Sequence, residues 1–182
     1  MDNYHYDRSS KRRDLSGLDW SSRPISTTLG ARATLSDRMD VFVGIDDLDD
    51  GQEDHSQAFL PPWVKPTIDR LEILLTLSEN WDSYGAASIS FVNVEYAFRL
   101  LAFIMGDDTP PPDVVPTSEG SIQVEWHEAE MDLEIEVLSP YRVHVSYKDG
   151  RYAEREWSDE LTSDLTQLKT AINELTRRTD TN

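Results

Sequence analysis

The sequence predicts a two-layer α+β domain: a helical pair, then an antiparallel β-meander, then a C-terminal helix packed on one face of the sheet. Three observations carry that expectation. Apolar residues recur at helical spacing between about residues 66 and 105, the period falls to two from residue 122, and spacings of three and four return after residue 158. Clusters of Pro, Gly and Asp mark the breaks between these regimes.

The first helix is expected from Pro66, which suits a first turn, to about Ser78, on the apolar residues Ile68, Leu71, Leu74 and Leu75. The second runs from about Asn93 to Met105, with Ala97, Phe98, Leu101, Ala102 and Met105 on one stripe and Gly106 as its stop. After Asp107-Asp108-Thr109-Pro110-Pro111-Pro112, Val114-Val115 reads as a short strand. Ile122, Val124 and Trp126 then alternate with polar neighbours, as do Met131, Leu133, Ile135 and Val137, and after them Tyr141, Val143, Val145 and Tyr147. Asp149-Gly150 reads as a hairpin turn, followed by a weaker strand from Tyr152 to Trp157. The closing helix is expected from Ser158, an N-cap followed by Asp159 and Glu160 in the first turn, where the helix dipole favours negative charge. Its seam of Leu161, Leu165, Leu168, Ile172 and Leu175 either covers the sheet or pairs with a second copy in a homodimer.

These elements make one domain over residues 63–179. Residues 1–62 read as a mostly disordered tail, rich in Ser, Asp, Arg and Thr, whose apolar residues fall singly. Within it Val41, Phe42 and Val43 head the one compact apolar cluster, and the acidic run DDLDDGQED follows at once. Residues 41–54 are therefore a candidate docking segment, which either orders on a partner or adds an edge strand to its own domain.

Composition excludes several classes of function. The chain has no Cys, so it has no disulfide, thiolate nucleophile or Cys-based metal site. Its net charge of -18 repels free nucleic acid and anionic lipid; such acidity either serves solubility or makes the surface complementary to another protein with a basic surface, or an imitation of a phosphate backbone. No stretch approaches the ~20 apolar residues of a membrane span, and the N-terminus carries no signal-peptide pattern. A cytoplasmic location is the expectation.

Two features stand out as candidate sites. Asn80, Trp81, Asp82, Ser83, Tyr84 and Gly85 join the two helices with short hydrogen-bonding side chains, two large aromatics and a Gly. Such a turn either caps backbone amides and anchors itself to the core, or presents Asp82 to a partner or ligand. The second feature is a stretch from Arg99 to Arg142 without Lys or Arg, in which Asp107, Asp108, Asp113, Glu119, Glu125, Glu128, Glu130, Asp132, Glu134 and Glu136 fall. With Trp126 opposite Met131 across a four-residue turn, Glu125 would face Asp132 and Gln123 would face Glu134, like charges that destabilise a hairpin. With Val137 opposite Tyr141, Glu136 would face Arg142 and Glu134 would face His144, relieving part of that repulsion. Much of the cluster then reads either as an ordinary solvated surface or as a surface for a basic partner, with Glu125, Asp132 and Glu134 as the candidate partner-binding carboxylates.

A metal or hydrolase reading would recruit Asp82, Glu125, His127 and His144. No HExxH, phosphate-binding glycine loop or nucleophile elbow accompanies them, so no catalytic residue, metal site or cofactor is assigned and no enzyme is expected.

The pair of motifs NWDSYGA at 80–86 and PPPDVVPTSEGSIQVEWHEAEMDLEIEV at 110–137 resembles a family of small, largely uncharacterised bacterial proteins. That family carries an NWDxYGA turn followed by a PxVVPTxxGxIQxEW strand pair, and the resemblance covers residues 68–138. Ser83 and Ala87-Ser88 depart from the family's Gly and Pro. The resemblance implies no activity, only a neighbourhood of mobile-element or defence functions. The leading expectation is a non-catalytic binding or regulatory protein, as an antitoxin, inhibitor or assembly partner would be. It would use the acidic sheet face and the tail. A carboxylate-based metal-dependent hydrolase, a small-ligand binder and a structural subunit of an assembly are the alternatives.

Overall fold

A computed structural model describes residues 60–181 of the chain. The docking cluster Val41, Phe42 and Val43, and nearly all of the segment read as a tail, lie outside the described residues. The described part is an α+β domain with the elements in the expected order. Helices α1 (Val64–Leu75) and α2 (Phe91–Ile104) come first. The strands β1 (Asp113–Pro116), β2 (Ile122–Glu128), β3 (Met131–Ser139), β4 (Arg142–Asp149) and β5 (Trp157–Leu161) follow, and helix α3 (Thr166–Thr179) closes the order.

Each strand pairs antiparallel with its sequence neighbour, so the sheet order is β1-β2-β3-β4-β5. Alternation decides which side of each strand enters the core. Ile122, Val124, Trp126, Leu133, Ile135, Val137, Val143 and Val145 are all buried, and they meet Leu71 and Leu74 of α1, Val94, Ala97, Phe98 and Leu101 of α2, and Leu168, Ile172 and Leu175 of α3. All three helices feed one core on one side of the sheet, and the other face carries the polar residues of the alternation. Two buried indoles satisfy their N–H groups on backbone carbonyls, Trp63 on Gly106 at 3.0 Å and Trp126 on Pro110 at 2.9 Å, as an apolar core requires.

The structure corrects the expected register. The β2–β3 turn holds two residues, Ala129 and Glu130, both with positive φ (52° and 58°), and Trp126 stands opposite Leu133. Glu125 therefore faces Glu134, His127 faces Asp132 and Gln123 faces Glu136. Across β3 and β4, Val137 faces Val143, Glu136 faces His144, Glu134 faces Ser146 and Asp132 faces Lys148. A two-residue turn of this hand takes Gly or Asn at low cost, and neither is present. What holds it is external: Gly150 N donates to Glu130 O at 2.7 Å, and Arg178 reaches Ala129 O at 3.4 Å.

The last strand and helix are also corrected. Residues Ala153–Arg155 form a single 3-10 turn, and the stretch from Trp157 to Leu161 is β5 rather than the start of a helix. Leu161 stands opposite Val143 and fills the core from the sheet side. Asp164 supplies the start signal of α3 by accepting the Thr166 amide at 2.9 Å. Leu165, Leu168, Ile172 and Leu175 are buried within the chain's own core, so this seam covers the sheet.

At the end of α3, Arg178 is buried against Asp149 (2.6 Å) at the end of β4 and against Glu174 (2.8 Å). Arg178 holds the Asp149 carboxyl below the usual carboxylate range, and Arg177 and Arg178 hold that of Glu174 at about 2. This cluster ties the closing helix to both β4 and the β2–β3 turn.

Candidate functional site

The outward positions of the sheet stand in rows, because strand pairing sets them side by side. One row reads Asp113, Glu125, Glu134, Ser146, Ser158 across all five strands. It contains three carboxylates on adjacent strands and no cation. The next reads Val115, Gln123, Glu136, His144, Glu160, and on the other side His127, Asp132 and Lys148 stand in line. Acidity is concentrated on the β1–β3 half. On the β4–β5 half Arg142 meets Glu160 through two parallel hydrogen bonds of 2.9 Å, and His144 Nε2 lies 3.1 Å from Ser158 Oγ.

The carboxylates Glu125, Asp132 and Glu134 thus share one face, and His127 links the first two of them. Its Nδ1 lies 3.0 Å from Asp132 Oδ1 and its Nε2 lies 3.5 Å from Glu125 Oε2. Asp132 first, and Glu125 after it, raise the His127 pKa above its ordinary value. Gln123 donates to Glu125 at 3.1 Å, and Ser121 Oγ donates to Glu136. Glu134 has no such donor among the hydrogen bonds of this face, and it stands between Glu125 and Ser146.

For a metal, the structure groups different residues from those first picked. Ligand atoms of Glu125, His127 and Glu134 all lie within 4.8 Å of one another. Asp82 belongs to the helix–helix turn and His144 to the neighbouring row, opposite Glu136. Glu134 could not be grouped with His127 from the sequence, because the expected register placed it elsewhere.

The NWDSYGA turn is a self-satisfied loop. Asp82 Oδ1 accepts the amides of Tyr84 (2.8 Å) and Ala86 (3.0 Å), which lowers its pKa. Asn80 Oδ1 accepts the Gly85 amide at 2.8 Å, its own amide donates to Ala86 O at 2.7 Å, and Trp81 Nε1 donates to Ala87 O at 3.2 Å. Asn80, Ser83 and Gly85 all take positive φ. Tyr84 points away from the domain, 94% exposed. The loop then docks on the β1–β2 turn: Ala87 N donates to Ser118 O at 2.9 Å, and Gly120 packs so closely that a Cβ there would meet Ser88 O at 3.0 Å. The two motifs singled out in the sequence are therefore one contact in space.

No family model, curated protein or solved structure matches the chain. Among the described residues no helix is long and apolar enough to cross a membrane.

Proposed function

We propose that this domain is a protein-binding module whose polar sheet face docks a basic surface of another protein. The observation that carries the reading is the row Asp113, Glu125, Glu134: three carboxylates in register, held at a cost to the sheet and with no cation beside them in the row. A surface selected for stability alone alternates its signs, as the β4–β5 half does. A partner's Lys and Arg side chains would offset the repulsion on docking, and a field of one sign steers such a partner to the face.

The test is affinity capture from the native cell with the full chain and with an E125Q/D132N/E134Q variant, which keeps shape and removes charge. A partner held by the native chain, lost from the variant and released at about 0.5 M salt, where screening is nearly complete, is the expected result. The same partner held equally by both forms would remove the face from the reading. In this reading the 41–54 segment is a second contact.

The cluster Glu125, His127 and Glu134 favours a second reading, a divalent-cation site of the kind a carboxylate-based hydrolase needs. A thermal melt with Zn²⁺ tests it: a rise in Tm that His127→Ala abolishes, and that grows as His127 deprotonates, supports it.

A further inference from the structure

The row Asp113, Glu125 and Glu134 holds no cation, and the rest of the domain brings none to it. Among the described residues no Lys or Arg forms an ion pair with any of the three. Arg142 is held by Glu160, Arg151 by Glu130, and Arg155 and Arg178 by Asp149. Arg70 donates to Val114 O on the β1 backbone at 2.7 Å, and Lys148 stands opposite Asp132 in the neighbouring row. The Glu125 side chain is 20% exposed, so water and salt screen its charge less than that of a fully solvated group. The negative field also reaches the end of β2, where burial first and Asp113 second push the Glu128 carboxyl above its ordinary value.

One run in the chain has the complementary composition. Of the seven Lys and Arg before residue 63, four fall within six residues, Arg8-Ser9-Ser10-Lys11-Arg12-Arg13, with no acid among them. Arg23, Arg32 and Arg38 stand singly. The run lies outside the described residues, and 46 residues separate Arg13 from Leu60, which packs against the core. Extended backbone covers about 3.3 Å per residue, so that connection spans up to about 150 Å, several times the width of a domain of this size, and it reaches round to the polar face. The acidic run at 46–54 is repelled by the same face, which leaves 8–13 as the part suited to it. The scale also fits. Neighbouring strands stand about 4.8 Å apart, so the three carboxylates extend over about 10 Å; in an extended segment Lys11 and Arg13 point the same way about 7 Å apart, and their long stems span the difference.

We propose that residues 8–13 of this chain dock on the row Asp113, Glu125 and Glu134 of their own domain, and hold the face until another basic segment displaces them. This rests on the reading of the face as a docking surface for basic groups, and it names the class of partner that the face takes: a linear, Arg/Lys-rich segment. Tethering keeps residues 8–13 at a local concentration of about 1 mM, so an incoming segment with a Kd of about 0.1 mM is weakened about tenfold.

The experiment uses the full chain, isotope-labelled for NMR, and its variant R8Q/K11Q/R12Q/R13Q. The probe is a synthetic peptide of residues 8–13, acetylated and amidated. Amide signals of Glu125, His127 and Glu134 should differ between native chain and variant, and about 0.5 M salt should bring the native signals to the variant positions. The peptide should bind the variant with a Kd of about 0.1 mM and the native chain about tenfold more weakly. E125Q/D132N/E134Q added to the variant should abolish that binding. Equal binding of the peptide to native chain and variant overturns docking within the chain and leaves the face to a basic segment of another protein. Sedimentation in which the native chain dimerises and the variant does not assigns the segment to a second copy, and overturns the proposal likewise. No binding to either form, with the face signals unmoved, overturns both the docking and the class of partner. None of these readouts needs a cellular partner, so a negative capture experiment beside a displaced peptide would mark failure of the partner reading alone.

Discussion

Arg178 is the residue on which most of the local structure converges. Its guanidinium is buried with Asp149, reaches Glu174, and supports the carbonyl of Ala129 in a turn of two non-glycine residues with positive φ. Removing one partner of such a pair leaves the other charged and buried. Arg178→Met should therefore cost about 3–5 kcal/mol, a fall in Tm of about 10–20 °C, measurable in a thermal melt. Asp149→Leu added to it should recover part of the loss. Asp149 and Glu174 have folded pKa values below their ordinary 3.8 and 4.5, so their contribution is present above those values and lost as pH falls through the folded ones. Urea melts between pH 5 and 2 should show that loss, and Arg178→Met should flatten it. His127 has the opposite sign. Its pKa is raised above 6.5, so its contribution is complete below that pH and disappears as pH rises through the folded value. The side chain is 47% exposed. Screening then holds the effect to under about 1 kcal/mol, and His127→Gln should abolish it in melts run from pH 6 to 9.

At the scale of elements, the two glycines of the paired motifs separate strain from contact. Gly85 has φ 98° and open space where a Cβ would go, whereas Gly120 has φ 80° and would drive a Cβ into the Ser88 carbonyl. Gly85→Ala should cost about 1 kcal/mol, and Gly120→Ala more, about 2–4 kcal/mol, by urea denaturation. Periodicity made the first two helices and the strands β2, β3 and β4 legible, because each has one apolar face and the core takes only that face. It failed between Ser158 and Leu165. The sequence Ser-Asp-Glu followed by leucines at helical spacing reads as a capped helix, yet Leu161 reaches the core from an edge strand and Asp164 holds the true helix start. Register was misread for a related reason. Ala129-Glu130 carries no turn signature, since what stabilises that turn, Gly150 and Arg178, lies far away in sequence. The acidic face was legible as composition, but its rows depended on register, so the opposition of Glu125 to Glu134 could not be read. Glu95 was missed altogether: Glu95 and Arg99 look like an ordinary surface pair one turn apart, and only packing shows the carboxylate to be buried.

For the whole molecule, asymmetry of the two sheet faces governs response to solvent. One face is dry and closed by three helices. The other bears a row of three carboxylates on a chain of net charge -18. Moderate salt should stabilise the free protein by screening that repulsion, and Glu134→Gln should raise stability by about 0.2–1 kcal/mol in low salt, a gain that shrinks as salt is added. The ion cluster that closes the domain has a further consequence, in time rather than space. Asp149 ends a sheet strand, and the arginine that neutralises it is encoded 29 residues later. At roughly 5–20 residues per second, a ribosome needs about 1.5–6 s to cover that distance. At the start of that interval only β1 to β4 can pair with their sequence neighbours; β5 and Arg155, which lies 3.9 Å from Asp149, are made within it, and the last helix comes at its end. The arrival of Arg178 brings Asp149 its two short hydrogen bonds, and the helix that carries it brings the inner face of the sheet its cover.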